Sequence, residues 1–114
     1  MKPITLSLML LMSTVAGAQN ADNPFFRPSA LPYEAPDFNA IRVEHFIPAF
    51  EAGMAEHLRE IDAIATQSAA PTFENTIVAM EKTGAVLGRA QRVFGNLTGS
   101  HTNPELQKIQ VEMS

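Results

Sequence analysis

The chain has no cysteine. That excludes disulfides, thiolate zinc sites, thiol nucleophiles and c-type haem attachment. It does not argue against an oxidising compartment, because a protein there need not use disulfides. A basic surplus is also missing: 8 Lys and Arg stand against 12 Asp and Glu, a formal charge of −4. Nothing in that balance recruits nucleic acid or anionic lipid. Apolar runs are short. The longest, Ile4 to Val15, falls below the roughly 20 residues that span a bilayer. The common catalytic fingerprints are absent too. There is no G-x-S-x-G, no P-loop and no dinucleotide-binding glycine pattern.

A zinc-peptidase helix needs two histidines four apart with a glutamate beside the first, so that both imidazoles reach one metal and the carboxylate activates its water. The histidines here are His45, His57 and His101. The first two are twelve residues apart and the third falls in a turn, so none forms that motif. Glu44-His45 and Glu56-His57 are adjacent pairs that read as neighbouring surface and core positions of one helix. Asn96-Leu97-Thr98 matches a glycosylation sequon, but it lies in a predicted helix and reads as accidental. No active site is complete in these residues.

What is present begins with a leader. Lys2 supplies a short positive region, ITLSLMLLMSTV an apolar one, and Ala16-Gly17-Ala18 a small-residue cleavage site. Residues 1–18 are read as a signal peptide cut between Ala18 and Gln19. The expected destination is the periplasm or the exterior, with no stable membrane anchor after cleavage.

Residues 19–40 carry prolines at 24, 28, 32 and 36, which block helix, and the apolar Phe25, Phe26, Leu31, Tyr33 and Phe38. An extended strap lying across a larger body is expected, with those side chains buried beneath it.

From residue 41 the spacing turns helical. Phe46, Phe50, Gly53, His57, Ile61 and Ile64 recur at one face of a helix from about Glu44 to Thr66. Pro48 is tolerable only in its first turn. QSAAP at 67–71 is a short connection, so the next helix should run back antiparallel.

That second helix is read as continuous from Phe73 to Gly99. Thr72 caps its start and Glu74 suits its positive end. Phe73, Ile77, Met80, Gly84, Leu87, Gln91, Phe94 and Thr98 form one line, and Val86, Ala90, Val93 and Leu97 a second. Gly84, Gly88, Gly95 and Gly99 fall within roughly 60° of one another on an ideal helix. Each glycine costs a helix about 1 kcal/mol against alanine. Either another helix packs very close over these four glycines, or they are merely tolerated and serve the C-cap.

Asn103 and Pro104 then start a third helix, with Leu106, Ile109 and Met113 on its apolar stripe. The pattern stops within about eleven residues, a marginal length for a helix. Residues 41–114 are therefore expected to be the helical opening of something longer. The fold class read from these patterns is all-α: a Pro-rich arm, an antiparallel helical hairpin and the start of a third helix.

An ordered set of short motifs adds a family resemblance. Asn23-Pro24-Phe25, Leu31-Pro32-Tyr33 with Ala35-Pro36 and Phe38, Glu44-His45-Phe46 with Pro48-Ala49-Phe50, Gly53-Met54, Pro71-Thr72-Phe73-Glu74-Asn75-Thr76-Ile77, Phe94, and His101-Thr102-Asn103 with Glu105-Leu106-Gln107 follow one another. In order and spacing they resemble the N-terminal part of the peptidyl-dipeptidase branch of the thimet-oligopeptidase family of zinc metallopeptidases. The resemblance covers about residues 23–114. It implies a larger helical, two-lobed peptidase with a deep channel, a zinc ion on an H-E-x-x-H helix, oligopeptide substrates and release of C-terminal dipeptides. It places no catalytic residue and no metal ligand in this chain, which by itself should be inactive and bind no zinc. The alternative is a small exported helical module that binds peptides or partners without catalysis.

Overall fold

The computed structural model describes residues 22–114, and every regular element among them is helical. Three α-helices form the body: α1 (Phe46–Ala65), α2 (Ala85–Ser100) and α3 (Pro104–Glu112). A 3₁₀ turn, Val43–His45, leads directly into α1. Pro48 sits in the first turn, where its missing N–H costs nothing. α3 starts as its sequence dictates: Pro104 is at the first position and the Asn103 side chain accepts from the Leu106 N–H at 2.9 Å.

α1 and α2 run antiparallel. The Gly84 end of α2 meets His57, Leu87 meets Gly53, and Phe94 meets Phe46 and Phe50. An aromatic cluster holds the far end of this hairpin. The Phe46 and Phe94 rings are 5.1 Å apart, and Phe50 and Phe94 meet edge to face at 5.3 Å. Such pairs contribute roughly 0.5–1.5 kcal/mol beyond the area they bury. Ala49, Ala90, Val93, Leu106 and Ile109 complete the core, which joins all three helices.

The predicted continuous helix from Phe73 to Gly99 is broken. Phe73–Val78 is a π-helix, Ala79–Glu81 adds one α turn, and Gly84 then takes a left-handed conformation (φ 69°) as the residue before α2. An interrupted backbone resets the helical phase, so the long apolar line read through residue 84 does not exist as one face. Its N-terminal members Phe73, Ile77 and Met80 are exposed, whereas Val86, Ala90 and Val93 of the second line are buried. The Thr72 cap forms as expected, accepting from the Asn75 N–H at 3.1 Å. Asn75 reciprocates by accepting from the Thr72 N–H at 2.7 Å.

The four glycines do not share one crossing among the described residues. Gly84 lies in the break, and a β-carbon there would sit 3.2 Å from the His57 ring. One at Gly88 would meet only the Arg92 guanidinium, and one at Gly95 or Gly99 would meet nothing within 4 Å. The close helix approach falls on a different glycine. A β-carbon at Gly53 would come within 2.8 Å of the Leu87 backbone nitrogen.

The arm also departs from expectation. It winds through two 3₁₀ turns, Pro24–Phe26 and Pro32–Glu34. Of its apolar side chains only Phe25 is fully buried; Leu31, Tyr33 and Phe38 are exposed. The arm is pinned at its start and stands free of the hairpin beyond it.

Candidate functional site

The pinning of the arm creates a concavity beside α2. Asn23 caps the first 3₁₀ turn, its Oδ1 accepting from the Phe25 N–H at 3.0 Å, while its Nδ2 donates to the His45 carbonyl at 2.8 Å. Only 1% of Asn23 is exposed, and its bond with the Phe25 N–H forms away from competing water. Phe25 inserts beside Phe46, ring centres 5.2 Å apart. Arg89 of α2 reaches across and donates its Nε–H to the Phe25 carbonyl at 2.9 Å. These contacts tie residues 23–25 to both long helices.

Beyond Arg27 the chain loops away and returns at Ile41, leaving a groove of about 630 Å³ between the loop and α2. Phe25, Leu31, Phe38 and Val93 supply apolar wall. Arg27, Arg89, Arg92 and Asn96 supply donors, and Glu34 and Asp37 also line it. Tyr33 and Glu34, on the outer loop, both take positive φ (60° and 55°). Left-handed backbone costs a non-glycine residue roughly 1–2 kcal/mol. Tyr33 is fully exposed. The groove has the chemistry of a binding surface: apolar contact, the Arg89 guanidinium fixed by its bond to Phe25, and further guanidinium and amide donors.

His45 and His57 serve the fold. His45 accepts the Arg42 N–H on Nδ1 at 3.0 Å, and His57 lies half-buried against Gly84. His101 is exposed at the end of α2. Among the described residues no group of three or more His, Asp or Glu side chains converges to hold a metal ion. No helix among them is long and apolar enough to cross a membrane. Asn96 of the sequon is helical and lines the groove. The predicted cleavage residues Ala18 and Gln19 lie outside the described residues.

Two functional elements escaped the sequence reading. The Asn23-Pro24 pair is a helix-start pattern that could have marked a capped turn rather than an extended strap. The Arg89 bond to Phe25 spans 64 residues and has no local signature.

Comparison with known proteins gives a consistent result. The chain is 45% identical over 92 residues to the dipeptidyl carboxypeptidase of Salmonella typhimurium, covering 81% of this chain and 14% of the relative. It is 46% identical over 92 residues to the dipeptidyl carboxypeptidase of Escherichia coli, with the same coverage. Oligopeptidase A of Escherichia coli is 28% identical over 81 residues, covering 71% of this chain and 12% of the relative. No family model matches the chain. The chain thus spans about a seventh of the length of the curated relatives it matches. The resemblance drawn from the ordered motifs agrees with these relatives.

Proposed function

We propose that this chain is the N-terminal helical part of an exported zinc peptidase, similar to the dipeptidyl carboxypeptidases, that releases dipeptides from the carboxyl ends of oligopeptides. The observation that carries this reading is the 45% identity over 92 residues to a protein of that name. The reaction belongs to the longer protein. The residues described here do not fit a zinc site, since no three suitable side chains converge among them. The metal and the general base would be held elsewhere, and no catalytic step is assigned to this chain, which is inactive alone. Its part is to supply helical wall and binding surface beside the peptide channel.

The test is the reading frame that carries this sequence. It should continue past Ser114 and encode an H-E-x-x-H motif, and its full product should release C-terminal dipeptides from blocked tetrapeptides until a chelator is added. A stop codon after Ser114 with no downstream motif in frame would overturn the proposal.

Export rests on the apolar run Ile4–Val15 followed by Ala16-Gly17-Ala18. The mature product should begin at Gln19 on N-terminal sequencing. Recovery of Met1 on a membrane-bound species would mean an anchor instead.

A second reading, a helical peptide- or partner-binding module without catalysis, draws on the arm groove with its three arginines. A sharp two-state melt of residues 19–114 and a defined oligomer would favour it.

A further inference from the structure

The helical break leaves an apolar face with nothing on it. Phe73 is 68% exposed, Ile77 48% and Met80 49%, and Leu58 of α1 is 72% exposed. Phe73 and Ile77 are four apart on the π-helix, and Met54 and Leu58 are four apart on α1, so each pair projects from one side of its own helix. A groove of about 360 Å³ joins the two elements, lined by Ile61, Ile64, Ala65, Pro71, Thr76 and Met80. Its walls are mainly apolar, with Gln67 and Thr76 as polar members, and its size suits one or two bulky side chains. The surround has an acidic excess: four exposed carboxylates, Glu51, Asp62, Glu74 and Glu81, stand against two exposed cations, Arg59 and Lys82. Each neighbours the patch in sequence or by one helical turn. An apolar centre with a charged rim is the anatomy of a protein contact.

We infer that this face is the seat of the remaining polypeptide of the longer protein: a helix that inserts a bulky apolar side chain into the groove and carries Lys or Arg at the acidic rim. The inference rests on the proposed function, because the chain spans only 14% of its dipeptidyl carboxypeptidase relatives and the remainder of such a protein must pack somewhere. The choice of face follows from the break at Gly84. It turns the apolar side of residues 73–80 away from the core formed by Phe46, Phe50 and Phe94.

Methionine oxidation tests it, since reaction with peroxide requires access to the sulfur. The full-length protein is treated with hydrogen peroxide, native and unfolded, and sulfoxide at Met54 and Met80 is followed by peptide mass spectrometry. A covered face slows both at least about tenfold in the native protein. Native rates within about twofold of the unfolded ones overturn the inference. In Leu58→Asp and Ile77→Asp variants Met80 should become reactive again. If these variants do not fold, the comparison in the parent protein still decides. Protection that appears only as concentration rises, with a doubling of mass in sedimentation, assigns the face to a second copy and overturns the inference. A gene with no longer reading frame overturns this inference and the proposed function together. A longer protein with reactive Met54 and Met80 overturns this inference alone.

Discussion

Gly53 of α1 and Leu87 of α2 meet backbone to backbone. A β-carbon at residue 53 would lie 2.8 Å from the Leu87 nitrogen and 2.9 Å from its Cα. Both are main-chain atoms inside a helix and cannot step aside as a flexible side chain could. Gly53→Ala should therefore push the hairpin apart and destabilise it, at the roughly 1–3 kcal/mol typical of overpacking, despite the better helix propensity of alanine. The denaturant midpoint should fall. A midpoint that rises would mean that the helices have room to spare at this crossing.

Gly95 and Gly99 give the opposite expectation. Both lie inside α2 with open space where a β-carbon would go. Gly95→Ala and Gly99→Ala should each raise the stability of residues 19–114 by up to about 1 kcal/mol. Making the same changes in a longer protein reads out whether anything covers that side: a loss there and a gain here would locate a close-packed partner over the glycine line.

The break at Gly84 is held by a single carboxylate. Glu60 Oε2 accepts the Gly84 N–H at 2.7 Å, bridging α1 to the residue before α2. Hydrogen bonds to charged groups contribute roughly 1.5–3 kcal/mol when sheltered, and this one is half-buried, so Glu60→Ala should cost about 1 kcal/mol. Glu60→Gln keeps an acceptor and should lose less. Amide hydrogen exchange at Gly84 checks the assignment directly. Unchanged protection in Glu60→Ala would remove Glu60 from this role.

Asn23 is the pin of the arm. Asn23→Ala removes both its bonds and leaves the half-buried His45 carbonyl without that donor, a loss of roughly 1–3 kcal/mol. The local consequence is more diagnostic than the global one. Release of residues 23–27 should make the bonds after Phe25 and Phe26 rapid chymotrypsin sites, while cleavage within α1 and α2 changes little. Equal acceleration at all sites would mean that Asn23 supports the whole fold rather than the arm.

Leu106 tests the third helix. It is among the most deeply buried side chains and packs into the same core as Phe46 and Val93. Leu106→Ala should cost about 2–5 kcal/mol. A smaller loss, with α1 and α2 still cooperatively folded, would show that α3 docks as a separable unit.

The sequence alone determined the helical class, the start of α1 around Pro48, the Thr72 and Asn103 caps, and the buried line through Val86, Ala90 and Val93. These are local matters. A proline without an N–H, a side-chain oxygen beside an orphan amide and apolar spacing along one helix act within a few residues. The motif order carried the resemblance to the peptidases for the same reason, being a property of the chain and not of its packing.

Tertiary structure decided the rest. Residue 84 has the spacing of a helix position, and its glycine leaves both readings open. The left-handed turn is selected by Glu60 and His57, 24 and 27 residues earlier in the chain. Gly53 read as one position on an apolar line, yet it is where the backbones touch, because contact depends on the facing helix and not on its own. The arm read as a strap from its prolines. Whether it lay down was set by Asn23 gripping the His45 carbonyl and Arg89 gripping Phe25. Partners separated by tens of residues leave no periodicity behind, so the groove between arm and hairpin could be seen only once the chain had folded.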